Sequence, residues 1–361
     1  MTNRVHNFSA GPGALPLPVL EQAQQDLVDF KGSGLSLMES SHRWPMYDEV
    51  HNQCISDISN LLGLSDDYQV VFMGGGARAQ FALVPMNLLG DGTAAYVTTG
   101  RWAEGGYSEA CKIGKAVEIY NSGESGHNHV PQAGELNVPR DSAYLHYTSN
   151  NTIYGTQFRH IPETGDTPLI CDMSSDILSR PIDASRFALI YAGAQKNMGP
   201  SGVTCVIIRK DMLERCPAGI PETFSYKNMA GKNSLLNTPP VFPIYMVGLV
   251  ARHLLGLGGL EAVAAINDRK ADLLYSTIDN SSGFFRGHAR RDSRSCMNVT
   301  FTLPTNELEA AFVAESEEAG MRGLKGHRSV GGLRASIYNG VPLAAVEALV
   351  ALMKDFQDRR A

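Results

Sequence analysis

The stretch Leu189-Ile-Tyr-Ala-Gly-Ala-Gln-Lys196-Asn-Met-Gly-Pro200 sets one lysine just past a short apolar strand, among residues too small to crowd it. Ala192, Gly193, Ala194 and Gly199 leave room beside the amine for a planar ring. An amine that forms a Schiff base needs such a pocket, because desolvation lowers its pKa and frees the nucleophile. Asp172 ends a second apolar run, Leu169-Ile-Cys171. A carboxylate there suits a ring nitrogen that must stay protonated for the ring to draw off charge. Lys196 and Asp172 are therefore the candidate catalytic pair. Either one alone reads more simply as an ordinary buried Asp or a surface Lys, since structural ion pairs also perturb pKa values.

Working outward, apolar strands are expected at 69–73, 95–98, 116–120, 143–147, 169–171, 189–191 and 203–208, alternating with helical segments. That alternation predicts an α/β fold with a mostly parallel sheet flanked by helices on both faces. Ligands gather at the carboxyl ends of such strands. The Gly74-Gly-Gly76 turn, Asp172 and Lys196 all fall there. Upstream, one helix is expected from Pro18, with Val19, Leu20, Ala23, Leu27 and Phe30 at helical spacing, and an amphipathic second over 48–62. The last hundred residues change character: a helix over 259–278, a loop rich in Gly, Ser and Arg, then strand, helix, strand and a final helix from 342. The expected organisation is a large domain, 16–258, and a smaller α+β domain made of 1–15 and 259–361.

The 361 residues can bury a large core, and a formal net charge of −6 argues against a nucleic-acid partner. Six scattered cysteines include no C-x-x-C pair, and His127-Asn-His129 lacks a third ligand, so no metal is expected. The N-terminus has no apolar signal region, and the longest apolar run, 241–251, is too short to span a bilayer. These features suggest a cytoplasmic protein without a membrane partner.

Gly74-Gly-Gly-Ala-Arg78 joins a strand to a helix, so main-chain N–H groups and the helix dipole can face a phosphate there. The turn matches neither the G-x-G-x-x-G nor the P-loop pattern, which disfavours NAD and ATP. Trp102, soon after a strand, can stack on a planar ring, worth about 0.5–1.5 kcal/mol beyond its burial. Thr152 can offer a hydroxyl to the ring, and Gln195 can reach a phosphate. Basic residues gather at Ser41-His42-Arg43 and at Lys325-Gly-His327-Arg328 with Arg334, a local anion pocket in an acidic chain. Together these residues point to pyridoxal 5'-phosphate and a doubly anionic substrate.

From Asn7 to the C-terminus the chain resembles the phosphoserine aminotransferase branch of the fold type I pyridoxal phosphate-dependent enzymes. The segments that carry the resemblance are Asn7-Phe-Ser-Ala-Gly-Pro12, Ser41-His-Arg43, Gly75-Gly-Ala-Arg-Ala-Gln-Phe81, Tyr191-Ala-Gly-Ala-Gln-Lys-Asn197, Asn237-Thr-Pro-Pro240, Lys325-Gly-His-Arg328 and Gly332-Leu-Arg-Ala-Ser-Ile-Tyr-Asn339. The resemblance implies that Lys196 holds the cofactor as a Schiff base, Asp172 faces the ring nitrogen, Trp102 the ring face and Thr152 the ring hydroxyl. It assigns the cofactor phosphate to Ala77, Arg78 and Gln195, with Asn237 and Thr238 reaching in from the second subunit of a homodimer. Arg334 takes the substrate carboxylate, and His42, Arg43, His327 and Arg328 take the substrate phosphate, some of them from the partner chain. Ala10 and Ala77 stand where some relatives carry Ser and Gly, and Trp44-Pro45 where relatives often have smaller or polar residues.

The implied reaction is a ping-pong transamination of 3-phosphohydroxypyruvate with L-glutamate, giving O-phospho-L-serine and 2-oxoglutarate in serine biosynthesis. For similar enzymes it extends to the oxo-acid precursor of 4-phosphohydroxythreonine, used in vitamin B6 synthesis. A serine- or alanine-glyoxylate-type aminotransferase of the same fold would not need His327-Arg328. A Rossmann-like protein that binds a phosphometabolite without this cofactor is the alternative from another class.

Overall fold

The computed structural model describes residues 4–360; the ends of the expected small domain, 1–3 and 361, lie outside them. Its centre is a seven-stranded sheet: β1 (Tyr68–Gly74), β2 (Thr93–Thr98), β3 (Lys115–Asn121), β4 (Ser142–Thr148), β5 (Leu169–Asp172), β6 (Leu189–Gly193) and β7 (Val203–Arg209). The strand order is β1-β7-β6-β5-β4-β2-β3. Six strands point the same way, and β7 runs antiparallel to both its neighbours. The inner strands are apolar and buried along their length, as a sheet covered on both faces requires. Apolar cores lie on its two faces, one around Phe72, Leu145, Ile190 and Ile207, the other around Val71, Tyr96, Tyr144 and Ile208.

Helices α1 (Leu17–Gln25), α2 (Pro45–Leu62), α3 (Gln80–Leu88) and α4 (Arg101–Ile113) precede or join the early strands, and α5 (Val241–Gly256) follows the last. The first helix ends two residues before Leu27, which is 39% exposed, so the expected apolar stripe out to Phe30 does not form. The chain instead turns back, with the Phe30 N–H donating to the Leu35 carbonyl at 2.9 Å and Lys31 at φ 53°. The apolar run at 241–251 is explained by α5, whose Ile244, Val247, Val250 and Leu254 are buried in the core. Among the described residues no single helix is long and apolar enough to cross a membrane; α5 and the next helix pass such a test only as a pair bent by 86°.

That next helix, α6 (Gly259–Asp279), sends Leu260 and Val263 into the first core and Ala271, Leu274 and Ile278 into a third. The third core also contains Phe8 and side chains from β8 (Arg286–Gly287), β9 (Asn298–Thr302), α7 (Asn306–Glu318), β10 (Leu333–Ser336) and α8 (Leu343–Arg360) or the turns flanking them. The three strands form one antiparallel sheet, β8-β9-β10. The N-terminal segment joins this part of the molecule: His6–Asn7 pairs in parallel with Met321–Arg322. The chain then passes the carboxyl edge of the large sheet, where the Gly13 N–H donates to the Gln195 carbonyl at 2.7 Å.

Candidate active site

Five strands deliver the site. Ala77 and Arg78 follow β1, Trp102 opens α4 after β2, Thr152 follows β4, Asp172 ends β5, and Gln195 and Lys196 follow β6. All lie at or beyond the carboxyl ends of those strands. Gly193 shows how closely these loops approach. A Cβ there would come within 2.7 Å of Gln195 Oε1 and 3.2 Å of Ala77 Cβ. Gly75, at φ 92°, makes the turn that brings Ala77 to this point, a conformation that favours glycine.

Lys196 Nζ donates to Thr152 Oγ1 at 2.8 Å and lies 5.8 Å from the centre of the Trp102 ring. Loss of hydration pushes the amine down to about 8; the Asp172 carboxylate opposes that shift and the Arg334 guanidinium adds to it. Asp172 is itself buried, and its pKa is raised by burial against the opposing pull of Lys196 and of Ser174. Its Oδ1 accepts both the Ser174 N–H at 2.9 Å and the Ser174 hydroxyl at 2.6 Å. The other oxygen, Oδ2, takes no hydrogen bond among the described residues. Ser174 in turn accepts the Gly193 N–H at 3.1 Å, tying Asp172 to the strand that carries Lys196.

Arg334 comes from β10 and crosses to the site, its Nη1 3.4 Å from the Thr152 carbonyl. Its Nε is buried without a partner, as are Gln195 Oε1 and His42 Nε2. Buried polar atoms are normally satisfied, and the unpartnered Arg334 Nε and Gln195 Oε1 leave bonding that a ligand beside Lys196 can complete. Pyridoxal phosphate fits this donor set. Lys196 offers an amine able to lose its proton, Asp172 a free carboxylate oxygen, Trp102 an aromatic face, and Gln195 with the turn at Ala77 a polar end.

In the second basic cluster, His327 shares a cavity with Arg334 and Ile153. His327 is partly buried, and its pKa is lowered by burial and by the charges of Arg334, Arg328 and Arg101. Its Nδ1 is 2.7 Å from the Ser329 hydroxyl. Arg328, Arg43 and Arg78 are exposed, as are Asn237 and Thr238. No hydrogen bond within the chain joins His42, Arg43, His327, Arg328, Asn237 or Thr238 to Lys196 among the described residues. The fold thus brings together Lys196, Asp172, Thr152, Trp102, Ala77, Gln195 and Arg334, leaves His42 and His327 half-buried, and leaves Arg43, Arg328, Asn237 and Thr238 exposed. Arg101, beside Trp102, lines a cavity with Arg78 and Trp102 and had no reading in the sequence. Ser174 gave no signal, since its work is to aim Asp172.

His127 and His129 are engaged in local contacts: His127 lies 3.0 Å from Ser122 Oγ and 3.2 Å from Glu104 Oε1, and His129 lies 3.0 Å from Ser125 Oγ. No group of three or more metal-ligating side chains occurs among the described residues.

The family model for aminotransferase class-V matches residues 5–349. A phosphoserine aminotransferase of Desulfatibacillum aliphaticivorans is 57% identical over 99% of both chains. The solved phosphoserine aminotransferase of Bacillus circulans subsp. alkalophilus superposes with a TM-score of 0.98 at 51% identity, covering 100% of both chains. The pyridoxal phosphate-bound phosphoserine aminotransferase of Trichomonas vaginalis superposes with a TM-score of 0.92 at 36% identity, covering 97% of this chain and 100% of that one. The mostly parallel α/β sheet expected from the strand pattern and the fold type I architecture implied by the resemblance are therefore both present, and the chain belongs to the class-V aminotransferase family.

Proposed function

We propose that the protein is a phosphoserine aminotransferase that uses pyridoxal phosphate to transfer the amino group of L-glutamate to 3-phosphohydroxypyruvate, in serine biosynthesis. The observation that carries this reading is the desolvated Lys196 amine held between Thr152 and Trp102 beside Asp172, in a chain so similar to enzymes of that name. When bound, the cofactor supplies an electron sink for the charge left at the substrate Cα.

The chain's own groups do the rest. Arg334 grips the substrate carboxylate, which fixes the Cα–H bond near Lys196. The neutral Lys196 amine removes the Cα proton, and in the second half-reaction it returns a proton to Cα of the new amino acid. Asp172, aimed by Ser174, holds a proton on the ring nitrogen. Thr152 holds the ring hydroxyl, Trp102 covers the ring, and Ala77, Arg78 and Gln195 bind the cofactor phosphate.

The reading includes a homodimer whose partner supplies Asn237, Thr238 and part of the substrate-phosphate pocket made by His42, Arg43, His327 and Arg328. Two facts support it: Arg43, Arg328, Asn237 and Thr238 are exposed in one chain, and the apolar side chains of Val28, Met38 and Trp44 are 79%, 55% and 47% exposed. Exposed apolar area of this kind is what an interface would cover. We also infer a large domain, 16–258, and a small one of 1–15 with 259–361, supported by Phe8 lying in the third core; α6 bridges the two. The six cysteines are all free, in keeping with a reducing cytoplasmic setting.

The test is to incubate purified protein, loaded with pyridoxal phosphate, with L-glutamate and one oxo acid at a time. Phosphoserine and 2-oxoglutarate should appear in equal amounts with 3-phosphohydroxypyruvate, and turnover should fall sharply with hydroxypyruvate, pyruvate or glyoxylate. Equal turnover of glyoxylate would favour the glyoxylate-type enzyme instead.

A further inference from the structure

A second buried lysine lies behind the site. Lys270, on α6, is 0% exposed, and its Nζ donates to the carbonyls of Ile337 at 2.8 Å, Tyr338 at 2.8 Å and Val341 at 3.1 Å. Three acceptors match the three hydrogens of an ammonium. Burial pushes the group down to about 7, and no carboxylate forms a salt bridge with it among the described residues. Burying such a charge costs free energy unless its hydrogen bonds are complete. An apolar side chain would fill the same space without that cost, so the carbonyls it gathers need a reason.

The reason is what the turn at 337–341 touches. Tyr338 donates its hydroxyl to the Ala10 carbonyl at 2.7 Å. The Asn339 N–H donates to Asn197 Oδ1 at 2.9 Å, and the Asn339 amide donates to the Leu178 carbonyl at 2.7 Å. Asn267, one turn before Lys270 on α6, donates to Asn339 Oδ1 at 2.8 Å and to the Ser179 carbonyl at 3.0 Å. Gly340 lies so close to the N-terminal segment that a Cβ would fall 2.1 Å from the Ala14 carbonyl oxygen. The turn therefore braces Asn197 directly and, through residues 10–14, the Gln195 carbonyl. These are the two chain neighbours of Lys196. The same turn continues β10, which carries Arg334.

We propose that Lys270 is a positioning residue for transamination, drawing the 337–341 turn together so that Lys196 and Arg334 keep a fixed relation to one another. The proposal rests on the transaminase reading above and adds a residue that never meets substrate.

The test compares wild-type holoenzyme with Lys270→Met and Lys270→Gln. Two quantities are read: the KM for glutamate against kcat, and the pH midpoint of the visible absorption of the lysine–cofactor Schiff base. In Lys270→Met that retains cofactor, kcat/KM should fall on the order of tenfold to a hundredfold, as for a displacement of about an ångström, with KM raised and the midpoint moved. Lys270→Gln, which keeps an amide donor, should lie between that variant and wild type. Unchanged KM and midpoint, with only thermal stability lowered, would overturn the proposal. Where Lys270→Met does not fold, Lys270→Gln decides by the same two quantities. Wild-type turnover is measured first: its absence counts against the transaminase reading, while the spectral midpoint tests the brace without any turnover.

Discussion

The Lys196 amine and the Thr152 hydroxyl meet at 2.8 Å across the gap between the loops that follow β6 and β4. The hydroxyl accepts from the amine and so favours its charged form. Replacing Thr152 by Val removes that acceptor. In the cofactor-free protein the Lys196 pKa should then fall by about half to one unit, the worth of one hydrogen bond. Amine-directed labelling followed by peptide mass spectrometry across a pH series reads the shift; a rise would mean the hydroxyl does not accept from this amine.

Burial already draws Lys196 to about 8, against an ordinary value of 10.5. The neutral form attacks the cofactor, and it becomes abundant as pH rises through the folded value. The rate at which the cofactor-free protein takes up pyridoxal phosphate should therefore climb up to a pH of about 8 to 9 and then level off. A climb that continued past about 10 would show a solvated amine.

Arg328 is exposed in one chain and gains its role from the partner on the reading given above. Arg328→Ala should lower kcat/KM for the phosphorylated oxo acid by about tenfold to a hundredfold, the worth of a charged hydrogen bond, and leave an unphosphorylated one nearly unaffected. Mixing this variant with Lys196→Ala tests the sharing. If Arg328 serves the neighbouring site, each hybrid dimer contains one complete site, and activity returns on mixing. Continued inactivity would place Arg328 in the site of its own chain.

Gly13 is wedged between the site lysine and the turn that Lys270 gathers. A Cβ there would fall 2.7 Å from the Lys196 carbonyl oxygen and 2.8 Å from Tyr338 Cδ2. Both neighbours are held by the core, so Gly13→Ala should cost about 1–3 kcal/mol of stability. Denaturant unfolding of the holoenzyme reads that cost, and cofactor should dissociate faster as well. Unchanged stability would show that the segment can move aside.

Much of this was legible in the sequence, and for physical reasons. Apolar runs ending in Asp172 or leading into Lys196 can be little else than buried strands with polar residues at their carboxyl ends. The antiparallel direction of β7 was less plain, yet it follows from length: residues 194–202 are too few for a parallel crossover, which needs roughly a dozen or more. Leu27 misled because its spacing suits a helix, whereas the turn around Lys31 ends the helix from outside it. His42, Arg43, His327 and Arg328 stood out as basic clusters in an acidic chain, but only the resemblance tied them to a substrate phosphate, since two clusters nearly three hundred residues apart share no periodic trace. Lys270 left none either. A lysine in an amphipathic helix reads as solvated, and only the fold shows three carbonyls closing around it.

On the proposed reading Lys196, and not another amine, carries the cofactor. The most direct measurement is to load the protein with pyridoxal phosphate, reduce it with borohydride and map the modified peptide. One labelled residue is expected, Lys196, with both label and visible absorption lost in Lys196→Ala. Label on Lys270 or a surface lysine, or visible absorption that survives in Lys196→Ala, would contradict it.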